Sequence, residues 1–161
     1  MADYDLSRLD DWMGQVLQGI SPPARKKAAT KLGRELRQAN AKRIGQNTEP
    51  DGSPMEGRKP RLDRRGRVRA NGGRNRMFQG LRELKHWRID ADETGVNVTS
   101  VNAVIDRLAS VNQYGETAPV GRHPVTREMI RYRYPERRLL GFAPDDEKLT
   151  LDIAAKMIEP D

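Results

Sequence analysis

The sequence predicts an α+β fold, with helices packed on a small antiparallel β-sheet and a long basic arm inserted after the second helix. Three observations lead there. Apolar residues recur at three- and four-residue spacing in several segments, three later stretches alternate with period two, and the strands follow one another as antiparallel neighbours without regular crossovers. One stretch, Pro50 to Arg76, fits neither pattern. It holds nine basic residues (Arg58, Lys59, Arg61, Arg64, Arg65, Arg67, Arg69, Arg74, Arg76) against three acids, a local charge of +6 in a chain whose net charge is +7. Its only sizeable apolar residues are Met55, Leu62 and Val68, and Gly and Pro recur through it, so it reads as an arm outside the core.

The elements follow in order. Leu6, Leu9, Met13, Val16, Leu17 and Ile20 form a single helical stripe, with Asp3 and Asp5 at its positive N-terminal end. Ser21 before Pro22 marks a restart, and a second helix is expected from there to Gln46. Its buried face is read as Ala28, Ala29, Leu32, Leu36 and Ala39, with Arg25, Lys26, Arg34, Arg37 and Lys42 towards solvent. After the arm, Met77, Phe78, Leu81 and Leu84 predict a short helix ending near Lys85. Trp87, Ile89 and Ala91, then Val96 and Val98, alternate around the turn residues Asp92 to Gly95 and predict a hairpin. Asn102 is placed to cap a helix that contains Val104, Ile105, Leu108 and Ala109 and closes before Gly115. Thr126 to Tyr134 alternates again and reads as a strand ended by Pro135. Leu139 to Phe142 is expected inside the domain, the alternative being packing against a neighbouring subunit. Pro144 with Asp145, Asp146 and Glu147 opens a last helix whose stripe is Leu149, Ile153, Ala154 and Met157.

With 161 residues the chain suits one domain over 1–161, the arm at 50–76 being an insertion within it. Hydrophobic residues are 35% and charged residues 33%, a modest core that favours self-association. The absence of cysteine excludes disulfides, zinc-thiolate sites and thiol nucleophiles. No apolar run follows a basic N-terminus and none approaches the roughly 20 residues needed to span a bilayer, so neither export nor membrane partnership is expected.

Catalytic chemistry has little to stand on. His86 and His123 are far apart, Asp90 and Asp92 flank a turn where aspartate serves local backbone bonds, and Asp51-Gly52 lacks the other ligands of a calcium loop. No metal, cofactor or catalytic residue is assigned. The arm must meet something acidic, either phosphate or a protein surface. It lacks aromatic residues on which bases could stack, which weighs against a dedicated single-strand reader.

Several segments together resemble the phage virion morphogenesis family, which includes tail completion proteins of contractile-tailed temperate phages and Mu-like prophages. They are Leu36-Arg37 through Asn40, Arg43-Ile44, Gln46 and Pro50-Asp51-Gly52; Met77-Phe78 with Leu81-Arg82; Val111 to Gly115, including Gln113; and Tyr134-Pro135-Glu136-Arg137 with Leu139-Leu140-Gly141-Phe142. Asn112 stands where the family commonly has histidine. The resemblance implies a non-enzymatic protein of the virion neck, acting at the head-tail junction and made in the host cytoplasm. It implies a homo-oligomeric ring, commonly of six subunits, touching tail tube, terminator or head-connector proteins. The arms would then project inward towards genomic DNA or axially towards an acidic neighbouring ring. The alternative function is a basic nucleic-acid-binding module that uses the arm on phosphate backbones.

Overall fold

The computed structural model describes Gly14, residues 20–58 and residues 77–158. It is an α+β structure with three helices and two separate two-stranded antiparallel sheets among those residues. The helix expected over Leu6 to Ile20 lies almost wholly outside them.

Helix α1, Pro22–Gln46, starts after Ser21 as predicted, although the serine side chain makes no capping bond. It ends where Asn47 turns left-handed (φ 56°) and donates its N–H to the carbonyls of Arg43 and Ile44. Its buried seam is Gly33, Leu36, Asn40, Ala41 and Ile44, turned away from the alanine-rich face the sequence suggested; Ala28, Ala29, Leu32 and Ala39 are half-buried. The reason is Gly33. A Cβ there would come within 2.6 Å of the Ile89 and Val96 methyls, so the missing side chain lets the first hairpin lie against the helix. Arg37 is drawn in with that seam and donates from Nη1 to the Trp87 carbonyl at 3.2 Å, instead of facing solvent.

The predicted helix at 77–85 is replaced by irregular turns and a 3-10 turn, Leu84–His86. Phe78 sits at φ 56°, a left-handed conformation that α-helix cannot continue through. The Leu81 carbonyl, which a helix would offer to Lys85, accepts instead from the Trp87 indole at 2.6 Å. Strands β1, Trp87–Ala91, and β2, Val96–Ser100, form the expected hairpin with Ile89 opposite Val98. Asp92 Oδ1 closes the turn by accepting from Thr94 N, Thr94 Oγ1 and Gly95 N.

Helix α2, Ala103–Gln113, is capped by Asn102, whose Oδ1 accepts from Val104 N and Ile105 N. Its buried face is Ala109, Val111 and Asn112, while Val104 and Leu108 are exposed. Gly115 reverses the chain at φ 61°. Strand β3, Thr117–Arg122, was not assigned from sequence because Pro119 and Gly121 interrupt it, and both stand at a bulge in its pairing with β4, Met129–Arg133. The predicted strand over Thr126 to Tyr134 is thus shortened and belongs to a second hairpin, in which every residue from 119 to 131 is exposed. Helix α3, Pro144–Ile158, packs on α1 through Ile153, with Leu149 and Met157 half-buried and Ala154 outside.

The core joins Ile44, Met55, Met77, Phe78, Leu81, Trp87, Ala109 and Leu139. Met55 and the buried Pro50 correct the reading of the arm, because residues 50–58 belong to the body. Thr48 bridges Pro54, and Met55 N donates to the Asn47 carbonyl, so this stretch folds back on the end of α1. Leu139 is fully buried as expected, whereas Phe142 is 66% exposed.

Two glycines of α1 test the close approach. Gly33→Ala gains helix propensity of about 1 kcal/mol but forces two stiff β-branched side chains apart, and a net loss of about 1–2 kcal/mol is expected. Gly45→Ala meets nothing nearer than 3.7 Å, the flexible Arg82 Cδ, and is expected to stabilise by about 0.5–1 kcal/mol. Denaturant midpoints of the two variants should therefore move in opposite directions.

Candidate functional site: a polar clasp beneath open apolar surfaces

Residues 134–143 form no helix or strand, so their backbone groups need partners from elsewhere. Side chains on α1, α2 and α3 supply them. Gln113 Oε1 accepts from Leu139 N at 2.7 Å and Leu140 N at 3.0 Å, and its Nε2 donates to the Leu140 carbonyl at 3.0 Å. Asn40 Oδ1 accepts from Gly141 N at 3.1 Å while its Nδ2 donates to the Leu36 carbonyl. Arg43 Nη2 donates to the Gly141 carbonyl at 3.1 Å and to Asp146 Oδ2 at 2.7 Å. Asp146, buried in the first turn of α3, also accepts from Ala143 N at 2.9 Å.

Arg137 is the second centre. It is buried, and its guanidinium is held by neutral oxygens: Nε donates to the Glu56 carbonyl at 2.6 Å, Nη2 to the Gly57 carbonyl at 3.2 Å and Nη1 to Asn112 Oδ1 at 3.2 Å. Its Cζ stands 5.9 Å from the Phe78 ring centroid, and burial lowers the guanidinium pKa from its ordinary value. Arg138 reaches the other way, to Glu49 at 2.9 Å and to Asp51. Asp51 Oδ1 accepts from Ser53 N and Ser53 Oγ, bonds that pull its carboxyl below the usual range before the Arg138 charge adds to them.

The residues singled out by sequence converge here to a large degree. Arg43, Gln113, Arg137 and Gly141 make the clasp, and a Cβ on Gly141 would lie 2.7 Å from the Pro50 ring. Asp51 and Gly52 (φ 87°) form the turn that Arg138 holds. Gly115 is pressed against Tyr134 and Glu136, with a Cβ placed 3.0 Å from Glu136 N. Pro135 lines a neighbouring groove with Arg137, and Gln46 is the exception, exposed at the end of α1. Of the arm, Arg58 is exposed on the rim of that groove, while Lys59, Arg61, Arg64, Arg65, Arg67, Arg69, Arg74 and Arg76 lie outside the described residues. On either side of residues 59–76, Arg137 holds the carbonyls of Glu56 and Gly57, and Asn47 Oδ1 accepts from Met77 N at 3.2 Å.

Asp146 and Arg138 were missed as clasp members, since an acid in a first helical turn and an arginine in a loop both have ordinary explanations. Asn40 and Asn112 did carry a signal, a polar residue in step with the buried face of each helix. Among the described residues no group of three or more His, Asp and Glu stands together as a metal site, and no helix is long and apolar enough to cross a membrane. What remains open is apolar. Val104, Leu108, Val120, Ile130 and Phe142 are exposed, and a groove of about 680 Å3 separates the second hairpin from α2.

The Arg43–Asp146 pair fixes α1 to α3 and is almost out of solvent, with side chains 14% and 3% exposed. Asp146→Ala leaves a guanidinium unpaired and Arg43→Ala leaves a carboxylate unpaired, so each is expected to cost about 3 kcal/mol. The double variant should cost well short of their sum, as measured by a double-mutant cycle in denaturant.

No solved structure matches the chain. The tail completion protein S of Escherichia phage P2 is 25% identical over 158 residues, covering 96% of this chain and 98% of that protein. The model of the phage virion morphogenesis family matches residues 4–159, which include both halves of the clasp, and the chain therefore belongs to that family.

Proposed function

We propose that this protein completes the phage tail and helps join it to the head, acting as a ring at the head-tail junction within one domain that spans the chain. The observation that carries the reading is the near end-to-end similarity to the tail completion protein of phage P2, within a family defined by virion morphogenesis. The role is structural and not enzymatic. Its partners are further copies of the chain, six in the ring, and neighbouring tail tube, terminator or head-connector proteins. It is found in the virion neck and, during assembly, in the host cytoplasm.

The physical features agree with such a role. A small core surrounded by exposed Val104, Leu108, Val120, Ile130 and Phe142 leaves apolar surface for neighbouring subunits to cover. The basic residues from Arg58 to Arg76 line the channel or grip an acidic ring above or below. Six copies of the 50–76 stretch, each of net charge +6, would gather a net charge of roughly +36 about one axis, a repulsion that delays closure until DNA or an acidic partner arrives. The family-motif residues serve by holding the subunit's shape, with Arg43, Gln113 and Arg137 as its fasteners.

Electron microscopy of the purified protein, alone and bound to tails, with its solution mass measured alongside, is the direct test. Rings seated at one tail end are expected. A persistent monomer that ignores tails and shifts duplex DNA in a salt-dependent way would transfer the arm to the phosphate-binding alternative. Arg65→Glu is expected to leave the melting temperature within about 2 °C of the parent, as surface changes usually do, while reducing the yield of joined particles. A large fall in melting temperature would place Arg65 in the core.

A further inference from the structure

The two hairpins differ in a way that suggests how one copy meets the next. Strand β2 pairs with β1 on one side, and among the described residues no strand pairs with its other edge. That edge borders a groove of about 590 Å3. All five residues Val96 to Ser100 line the groove in succession, as a strand does when it is approached edge-on and not from a face. Phe142 and Tyr114 stand across from it, both largely exposed. Thr99 Oγ1 is buried on this wall with no hydrogen-bond partner. An open strand edge beside apolar walls is a receptor for one more strand.

The second hairpin has the complementary form. It projects with residues 119–131 exposed and carries Val120, Val125, Met129 and Ile130 outward. Strand β4 has five residues, as β2 has. Its charge is also of the opposite sign. Residues 117–133 hold four arginines and one glutamate, a net +3, whereas the β1–β2 hairpin, 87–100, holds Arg88 against Asp90, Asp92 and Glu93, a net −2.

We propose that the β3–β4 hairpin of one copy adds to the open edge of β2 in the next, with Phe142 and Tyr114 covering its apolar residues. The contact joins two different surfaces, so its repetition closes a ring or extends a filament, and it specifies the subunit contact of the ring proposed above, on which it rests. The backbone pairing supplies affinity, and the opposed charges orient the approach and make association weaken with salt.

The chain lacks cysteine, so substitutions report without background. The full chain carrying N97C and M129C together is expected to give a ladder of covalent oligomers with a short bis-maleimide. N97C mixed with M129C should stop at dimers, and neither single variant alone should cross-link. R131E/R133E is expected to keep the parent melting temperature while losing association by more than about tenfold at low salt. Dimers from N97C alone would mean a symmetric contact and overturn the proposal. So would rings that persist in R131E/R133E with no ladder from the paired cysteines, an outcome that leaves the ring itself standing. A parent chain that forms no ring, alone or on tails, removes the ring and this contact together.

Discussion

Segment 134–143 is the constraint on which the rest of the structure depends. It runs between the second hairpin and α3 without regular hydrogen bonding of its own, yet Leu139 within it is fully buried. Burying such a backbone is unfavourable unless each polar group finds a partner. Gln113 satisfies three groups of two successive residues, Asn40 and Arg43 take the N–H and carbonyl of Gly141, and Asp146 takes Ala143 N. These side chains come from three helices, so the loop is what holds the helices in one arrangement. Arg137 extends the same logic to residues 56–57. Removing one member leaves several buried groups unpaired, which is why the polar clasp outweighs its hydrogen-bond count in fixing the fold.

What could be read in the sequence follows from which of these interactions are local. The limits of α1, the β1–β2 hairpin, the Asn102 cap and the start of α3 depend on neighbouring residues, and spacing or turn chemistry was enough to place them. The orientation of α1 was not legible, because its seam is built from Gly33 and Asn40 as much as from Leu36 and Ile44. Phe78 and Leu81 have helical spacing, and only the distant demand of the Trp87 indole for a carbonyl shows why they do not form a helix. Likewise β3 contains Pro119 and Gly121, and its identity as a strand depends on β4 arriving beside it. That residues 50–58 belong to the body was hidden by composition: Met55 is a single apolar residue among polar ones, and it enters the core beside Glu56, whose carbonyl Arg137 holds.

The family-motif positions were chosen by resemblance, and the contacts give most of them a physical reason. Gly141 and Gly115 are places where a side chain would strike Pro50 and the 134–136 backbone. Asn112 accepts from Arg137 and donates to the Leu108 carbonyl, so an amide meets both demands of the position. An imidazole with one ring nitrogen protonated also carries one donor and one acceptor, which makes histidine a chemically reasonable alternative there.

Clasp and exposed surface are two sides of one arrangement. Leu139 points inward and Phe142 stands out, three residues apart on a segment whose course Gln113, Asn40 and Arg43 fix. A flexible loop would let Phe142 fold back over the groove beside β2 and cover the apolar surface itself. Held as it is, the phenylalanine keeps one wall of that groove open. The entropy of ordering this segment is therefore lost during folding of the subunit and need not be lost again when a neighbour binds, which is how preorganisation raises affinity without adding contacts. Loss of the clasp would then weaken the proposed contact between copies even where the subunit stays folded, because the wall that Phe142 provides would no longer be in place.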